Sequence, residues 1–331
     1  ESNKLGSVAV VGAGMAGISC AAALKHTVPA ITVFEKMPAA GGRMCSFRAG
    51  THQYDGGAQY FTARSLAFRQ QIEQWKQNWL AVEWDAWLVD LHLGQALSRE
   101  DGVMRYVGRP TMQGCVEDMA ALSDVRYKTE IGKIVRTAQR WELFDSRGQM
   151  LGDYDAVVMA IPAPQALPLL QAAPQLAQIA QSVHMTACWS VMLAFAEPLN
   201  LGFDAAFLIM PKLAWAARDS SKPDRMQQEV WVLHGSPEWS NAHPELESID
   251  VVMQLLHDFE LATGRKFPLP DYVDARLWPA ALPVNVLAEG YVYDPEMKIG
   301  LCGDWCNMPR VEGAYLSGMS LAAEVLKYAG R

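Results

Sequence analysis

The sequence predicts an α/β protein with a second, α+β domain, and three observations predict it. Near the N-terminus an apolar strand, Val8–Val11, runs into Gly12, Gly14 and Gly17 and then into a small-residue helix ending at Leu24. Near the C-terminus a second strand–turn–helix unit follows, in Ile299–Cys302, Gly303-Asp304-Trp305 and Val311–Leu326. Between them, long stretches lose the alternation of strand and helix.

The first unit has the G-x-G-x-x-G spacing of a dinucleotide-binding turn. Gly12 permits the tight turn, Gly14 lets a pyrophosphate approach the backbone, and Gly17 lets the helix pack closely on the sheet. The helix start offers free N–H groups and partial positive charge to phosphates. A second strand, Ala30–Phe34, ends in Glu35, 18 residues after Gly17, where an acid would bind a ribose hydroxyl. The ordinary alternative is a glycine-rich βα turn with no ligand. A nicotinamide dehydrogenase would continue with another βα unit. Here Gly41-Gly42-Arg43 follows instead, then Asp55-Gly56-Gly57-Ala58-Gln59-Tyr60-Phe61.

Residues 66–102 are rich in tryptophan and glutamine, including Trp75, Trp79, Trp84 and Trp87, and read as a helix plus irregular strands. Tyr127–Thr137 and Trp141–Phe144 alternate in strand fashion. A turn at Ser146–Gln149 leads to Ala156–Ile161, an apolar run suited to a buried strand, which Pro162 and Pro164 stop. A helix over Gln165–Gln181, strands near Ala187–Phe195 and Glu229–His234, and a helix over about Glu245–Thr263 complete the second domain. The expected organisation is therefore interleaved. Residues 1–65, 103–163 and 285–331 bind the cofactor; 66–102 and 164–284 bind the substrate.

Composition narrows the function. The chain has 331 residues, half of them hydrophobic and 19% charged, with net charge −8. No basic block is present, which argues against nucleic-acid partners and polybasic membrane attachment. Every apolar run is shorter than the roughly 18 residues a membrane span needs, and no secretory leader pattern opens the chain. Six scattered cysteines form no disulfide framework and point to a reducing cytoplasm. Cys302 and Cys306 lack partners at metal-ligand spacing, so no metal is expected.

A G-G-R turn soon after the ribose-binding acid resembles FAD proteins of the amine-oxidase and glutathione-reductase type. The resemblance implies a Rossmann-type FAD-binding domain beside a substrate domain, in the glutathione-reductase/p-hydroxybenzoate-hydroxylase architecture. It implies that Arg43 neutralises FAD phosphates, that Asp304 contacts the ribityl–phosphate region, and that the last helix points its N-terminus at the flavin. The expected FAD-binding residues are Gly12, Gly14, Met15, Ala16, Gly17, Glu35 and Lys36 in the first unit. Gly42, Arg43, Met44, Gly57, Ala58, Gln59 and Tyr60 follow, with Ile131. Gly303, Asp304, Val311, Glu312, Gly313 and Ala314 close the set.

More specifically, Gly57–Arg64, Trp215–Pro223, Trp231–Ser240 and Gly303–Cys306 through Val311–Tyr315 resemble the renalase family and its bacterial homologues, over nearly the whole chain. That resemblance implies a flavin oxidase of off-pathway dihydronicotinamide isomers, possible NAD(P)H isomers among them, with oxygen as acceptor and peroxide as product. Family members carry an arginine–tryptophan pair followed by tyrosine near Arg276; here Leu277 splits the pair and Pro279 follows. The family's FAD is not covalently held, so no bond to Cys306 is expected.

A dinucleotide substrate needs cations for its phosphates, and Arg64, Arg218, Lys222 and Arg276 are the candidates, Arg218 first and Arg276 behind it; for each the ordinary alternative is a solvated charge. Tyr60, Phe61 and Trp278 are candidates for the flavin face and substrate pocket, where aromatic rings stack on planar groups. His234 is a further substrate-binding candidate whose alternative is a hydrogen-bonded core histidine. Two other functions fit the same cofactor: a flavin amine oxidase, a class that often places a lysine near the reactive flavin nitrogen, and a non-catalytic flavin-bound redox or ligand sensor.

Overall fold

The computed structural model describes residues 4–226 and 228–329, and it is built on two main sheets. The first has six strands in the order Val292–Asp294, Ile299–Leu301, Ala156–Met159, Ser7–Val11, Ala30–Phe34 and Asp124–Arg126. All neighbours are parallel except the antiparallel edge strand Val292–Asp294. Its central strands carry few polar side chains because both faces are covered; all four residues of Ala156–Met159 are buried.

On one face lie the helices Met15–Leu24 and Val311–Tyr328, and they cross closely. A Cβ on Gly318 would run into the Ala16 carbonyl, and one on Gly17 into the Gly12 carbonyl. The other face is covered by an antiparallel three-stranded sheet, Ile131–Thr137, Arg140–Asp145 and Met150–Tyr154, and by the segment 163–181. Trp141, Phe34 and Trp305 sit in that core.

The second sheet has seven strands in the order Tyr272–Pro283, Met185–Phe195, Glu229–Gly235, Leu213–Arg218, Ala205–Leu208, Leu88–His92 and Gln95–Ser98. Its side chains alternate between two environments. Val191, Leu193, Trp231, Leu233 and Ala216 pack against Val251, Leu255 and Phe259 of the helix Ser248–Thr263. The opposite face looks toward the first sheet. The mixed α/β fold is the one the sequence predicts.

Several elements differ in extent. The expected helix over 165–181 is broken into Ala163–Ala166, a 3-10 turn at Leu167–Leu169, and Pro174–Gln181. Pro168 and Pro174 lack the N–H a continuous helix needs. The strand expected from Tyr127 begins at Ile131, and the turn at 146–149 feeds a hairpin strand, Met150–Tyr154, before the buried strand. The helix Leu66–Gln77 buries Phe68, Ile72 and Trp75 in the core shared with Met15–Leu24 and Tyr315.

Candidate active site

The first strand ends in Gly12, whose φ of +103° only glycine adopts cheaply. Gly14 caps the first helix without a side-chain hydrogen bond, and no acidic residue stands in its first turn. The N–H groups there are left for a ligand. Glu35, buried at the end of the second strand, accepts hydrogen bonds from the Ala13 N–H at 2.8 Å and the Met37 N–H at 2.9 Å. It therefore braces the glycine turn from below. Gly42 faces Gly14 so closely that a Cβ on Gly42 would lie 3.2 Å from the Gly14 Cα. Met15, Ala16 and Met44 are buried around this turn, Lys36 is exposed, and Ile131 packs in the core that holds Phe34.

Arg43 and Asp304 meet in a two-pronged ion pair. One guanidinium nitrogen donates to Asp304 Oδ2 at 2.9 Å, the other to Oδ1 at 2.7 Å, and Arg43 also donates to the Ala281 carbonyl at 2.9 Å. The guanidinium expected on phosphates is thus tied to the carboxylate expected beside it. Gly303, where the last strand ends, is held by the Ser317 hydroxyl at 3.0 Å. The last helix starts at Val311 with no side-chain cap. Glu312, fully buried in its first turn, accepts from the backbone N–H groups of Arg64 and Ser65. Those N–H groups take up both of its carboxylate oxygens, and Gly313 and Ala314 follow.

Between the sheets runs the segment Asp55–Phe61. Ala58 N–H donates to the Arg43 carbonyl at 2.9 Å, and a Cβ on Gly57 would collide with that carbonyl. The Gly56 carbonyl accepts from Trp278 Nε1 at 3.1 Å and faces His234 Nε2 at 3.2 Å. Gln59 Nε2 donates to the Asp55 and Gly57 carbonyls.

Facing this loop, one cross-strand row of the second sheet reads Trp215, His234, Ser190, Arg276. Burial, chiefly, and the nearby Lys222 charge pull the His234 pKa down to about 4, while the Gly56 hydrogen bond pulls the other way. The ring is neutral at physiological pH. Because Nε2 faces a carbonyl, Nε2 carries the hydrogen and Nδ1 is an acceptor. Arg276 lies over the Phe47 ring, 4.6 Å from its centroid, and donates to Asp274 at 2.9 Å. Trp278 stacks on Phe47 itself, with ring centroids 5.2 Å apart. Tyr60 lies against Trp84 and Trp215.

Not every candidate joins this face. Phe61 is enclosed by Phe68, Trp75 and Tyr106 and is a core side chain. Arg64 contributes its backbone, and its side chain is exposed. Arg218 alternates with Ala217, so it shares the helix-covered side with Ala216; it pairs with Asp204 at 2.7 Å. The strand parity that sends Trp215 inward sends Arg218 outward. Ser190 and Cys188, by contrast, point to the site and were not anticipated. Their signal is the phase Thr186, Cys188, Ser190 along a strand whose alternate residues, Ala187, Trp189 and Val191, are apolar.

The residues fit a bound dinucleotide with a flavin. A cradle of glycines that any Cβ would fill lies over an uncapped helix start, with a braced acid beneath it. Among the described residues no group of three or more histidine, cysteine, aspartate or glutamate side chains could hold a metal ion, and no helix is long and apolar enough to cross a membrane.

Comparison with known proteins adds family information. A model described as an NAD(P)-binding Rossmann-like domain matches residues 10–74, and one described as flavin containing amine oxidoreductase matches residues 67–326. A solved protein from Exiguobacterium sp. 255-15, assigned as a protoporphyrinogen oxidase, is similar at 15% identity and a TM-score of 0.76, covering 97% of this chain and 99% of that one. A cofactor-binding redesign of putrescine oxidase is similar at 12% identity and 0.77, covering 97% and 98%. Wild-type putrescine oxidase bound to putrescine gives 13% and 0.74, covering 97% and 99%. At these identities the likeness is one of fold.

Proposed function

The chain belongs to the flavin containing amine oxidoreductase family, and from that premise we propose a renalase-like oxidase that takes hydride from dihydronicotinamide dinucleotide isomers and hands the electrons to oxygen, releasing peroxide. The enzyme is an FAD-dependent oxidoreductase, and FAD supplies the two-electron chemistry when bound. The protein supplies binding, orientation and exclusion of water. In this reading the six-stranded sheet holds the cofactor and the seven-stranded sheet presents the substrate.

The observation that carries the substrate class is the charge of the inward face. Among the described residues of the four strands in the Trp215–Arg276 row, the carboxylate on that face is Asp274, and Tyr54 and Arg276 already hold it at 2.7 and 2.9 Å. A protonated amine would meet a carboxylate whose charge Arg276 already offsets and whose Oδ2 is taken twice. An anionic dinucleotide would find the terminal N–H groups of the half-buried Arg276 that neither Asp274 nor the Arg48 carbonyl takes, and the rings of Trp278 and Tyr60. The neutral His234 Nδ1 can accept a hydrogen bond from a carboxamide. FAD is held without a covalent bond: Cys306 is buried, and burial first, then Asp304, pushes its thiol well up, away from the nucleophilic thiolate.

Anaerobic mixing of the yellow holoenzyme with reductants tests this. Dihydronicotinamide dinucleotide isomers should bleach the flavin rapidly, and oxygen should restore it with formation of peroxide. Bleaching by amines alone would replace this reading with a flavin amine oxidase; bleaching by neither would point to a sensor. Acid precipitation should release all flavin into the supernatant.

A further inference from the structure

Behind the loop Asp55–Phe61 lies a fully enclosed group of four charges. Lys222 Nζ lies 3.2 Å from Asp55 Oδ2 and 3.0 Å from Asp219 Oδ1. Arg225 donates to the same Asp55 oxygen from Nε at 3.1 Å and from a terminal nitrogen at 2.7 Å, and its remaining terminal nitrogen meets the Gly108, Pro110 and Pro223 carbonyls. The other Asp55 oxygen accepts from Met112 N–H and the Ser46 hydroxyl. All four side chains are almost wholly buried, Lys222 completely.

Taking four charges out of water costs several kcal/mol for each ion, and hydrophobic replacements are often no less stable. The cluster's bulk is therefore weak evidence for a stabilising role. What it controls is more telling. Besides the two carboxylates, Lys222 Nζ reaches the amide oxygen of Gln59 at 3.4 Å, which Trp215 Nε1 also approaches at 3.3 Å. Two donors on that oxygen leave the Gln59 nitrogen to point the other way, where it donates to the Asp55 carbonyl at 2.7 Å and the Gly57 carbonyl at 3.0 Å. A glutamine without such donors could turn over and put its oxygen against two carbonyls.

We propose that Lys222 is a positioning residue: held by Asp55 and Asp219, it fixes the orientation of Gln59 and through it the backbone of Gly56–Tyr60. The inference rests on the reading that this loop lines the flavin. The charges support it. Burial works against the Asp55 carboxylate, but Lys222 and then Arg225 hold it below the usual range; burial pushes Asp219 up, with Lys222 pulling against it. Lys222 is thus the cation both acids share, and its ammonium group has no freedom to act elsewhere.

The test uses holoenzyme and a charge-balanced variant, Lys222→Met with Asp219→Asn, which leaves Asp55 paired with Arg225. Three readouts are taken: the flavin absorption envelope, FAD affinity of the apoprotein, and the flavin midpoint potential. We expect FAD affinity to fall about tenfold, the flavin bands to shift, and the potential to move by about 30 mV for each tenfold difference between binding of the oxidised and reduced forms. Gln59→Met, which removes the amide that Lys222 orients and leaves every ion in place, should move the same readouts in the same direction, and it decides the matter if the double variant does not fold. Ala58→Leu reports on the loop itself. Unchanged readouts in Gln59→Met or in a folded double variant, with a changed flavin spectrum in Ala58→Leu, would overturn the role of Lys222. No change in Ala58→Leu either would remove the loop from the flavin and overturn the inference with it.

Discussion

At the scale of single residues, Glu35 has one role in the fold and a second in the proposed cofactor site. Its distance from Gly17 suggested a ribose ligand, and the structure adds that both carboxylate oxygens already hold backbone N–H groups of the glycine turn and of Met37. Removing the side chain leaves the Ala13 N–H buried without a partner, at a cost of about 1–3 kcal/mol. Glu35→Ala should therefore lower the melting temperature of the apoprotein by several degrees, as well as weakening FAD retention about tenfold or more. Glu35→Gln should recover part of the melting temperature and less of the affinity. Calorimetry of apoprotein with an FAD titration separates the two; an unchanged apoprotein Tm would leave Glu35 as a ribose ligand alone.

His234 makes a pH prediction. Its pKa falls from 6.5 to about 4 on folding, so between those values the unfolded chain binds more protons than the folded one. The stability tied to the neutral ring is complete above 6.5 and is lost as pH falls toward 4. Denaturant melts of apoprotein across that window should show His234→Gln gaining on the wild type as pH drops. A constant difference between the two would mean the folded ring titrates normally. The sequence marked His234 by its apolar surroundings. It marked Lys222 only as a cation for substrate phosphates and did not mark Arg225, because their partner Asp55 lies 167 and 170 residues away, and no local periodicity records a contact of that span.

At the scale of elements, the crossing of the first and last helices sets the cofactor turn. Gly318 packs directly on the Ala16 backbone, one residue before Gly17 packs on the Gly12 carbonyl. Gly318→Val would need the helices to part. Overpacking of this kind costs about 1–3 kcal/mol, and here the displaced helix start is the proposed phosphate site. Lower apoprotein Tm and loss of bound flavin on gel filtration are expected together; a flavin-replete variant of normal Tm would show that the crossing tolerates a branched side chain. Both strand–glycine–helix units were readable because the chemistry of a close approach dictates residue type at fixed spacing. The break in the helix over 165–181 was also readable, at Pro168 and Pro174. The inward or outward sense of Arg218 was not, because Leu213–Arg218 pairs through a bulge and its parity follows from its neighbours in the sheet.

For the whole molecule, the proposed site is a seam. The first sheet contributes the glycine turn and Asp304, the second contributes His234, Ser190, Arg276 and Trp278, and Asp55–Phe61 is gripped from both sides. Composition and motif showed the two halves. What joins them, the shared Gly56 carbonyl and the enclosed ion cluster, is a product of tertiary contact and has no sequence signature of its own.

The order of strands in the first sheet has a consequence for biogenesis. The glycine turn leaves the ribosome early, yet the strand Ile299–Leu301, the Asp304 partner of Arg43 and the helix carrying Gly318 all emerge after most of the chain. At about 5–20 residues per second, roughly 15–60 s separate Gly17 from Asp304. For about the second half of that interval the strand Ala156–Met159 has an unpaired edge where Ile299–Leu301 will dock, an invitation to pairing with other chains. Until Asp304 and the helix carrying Gly318 arrive, the proposed cofactor site is half built, so capture of FAD would follow their emergence and not that of the glycine turn.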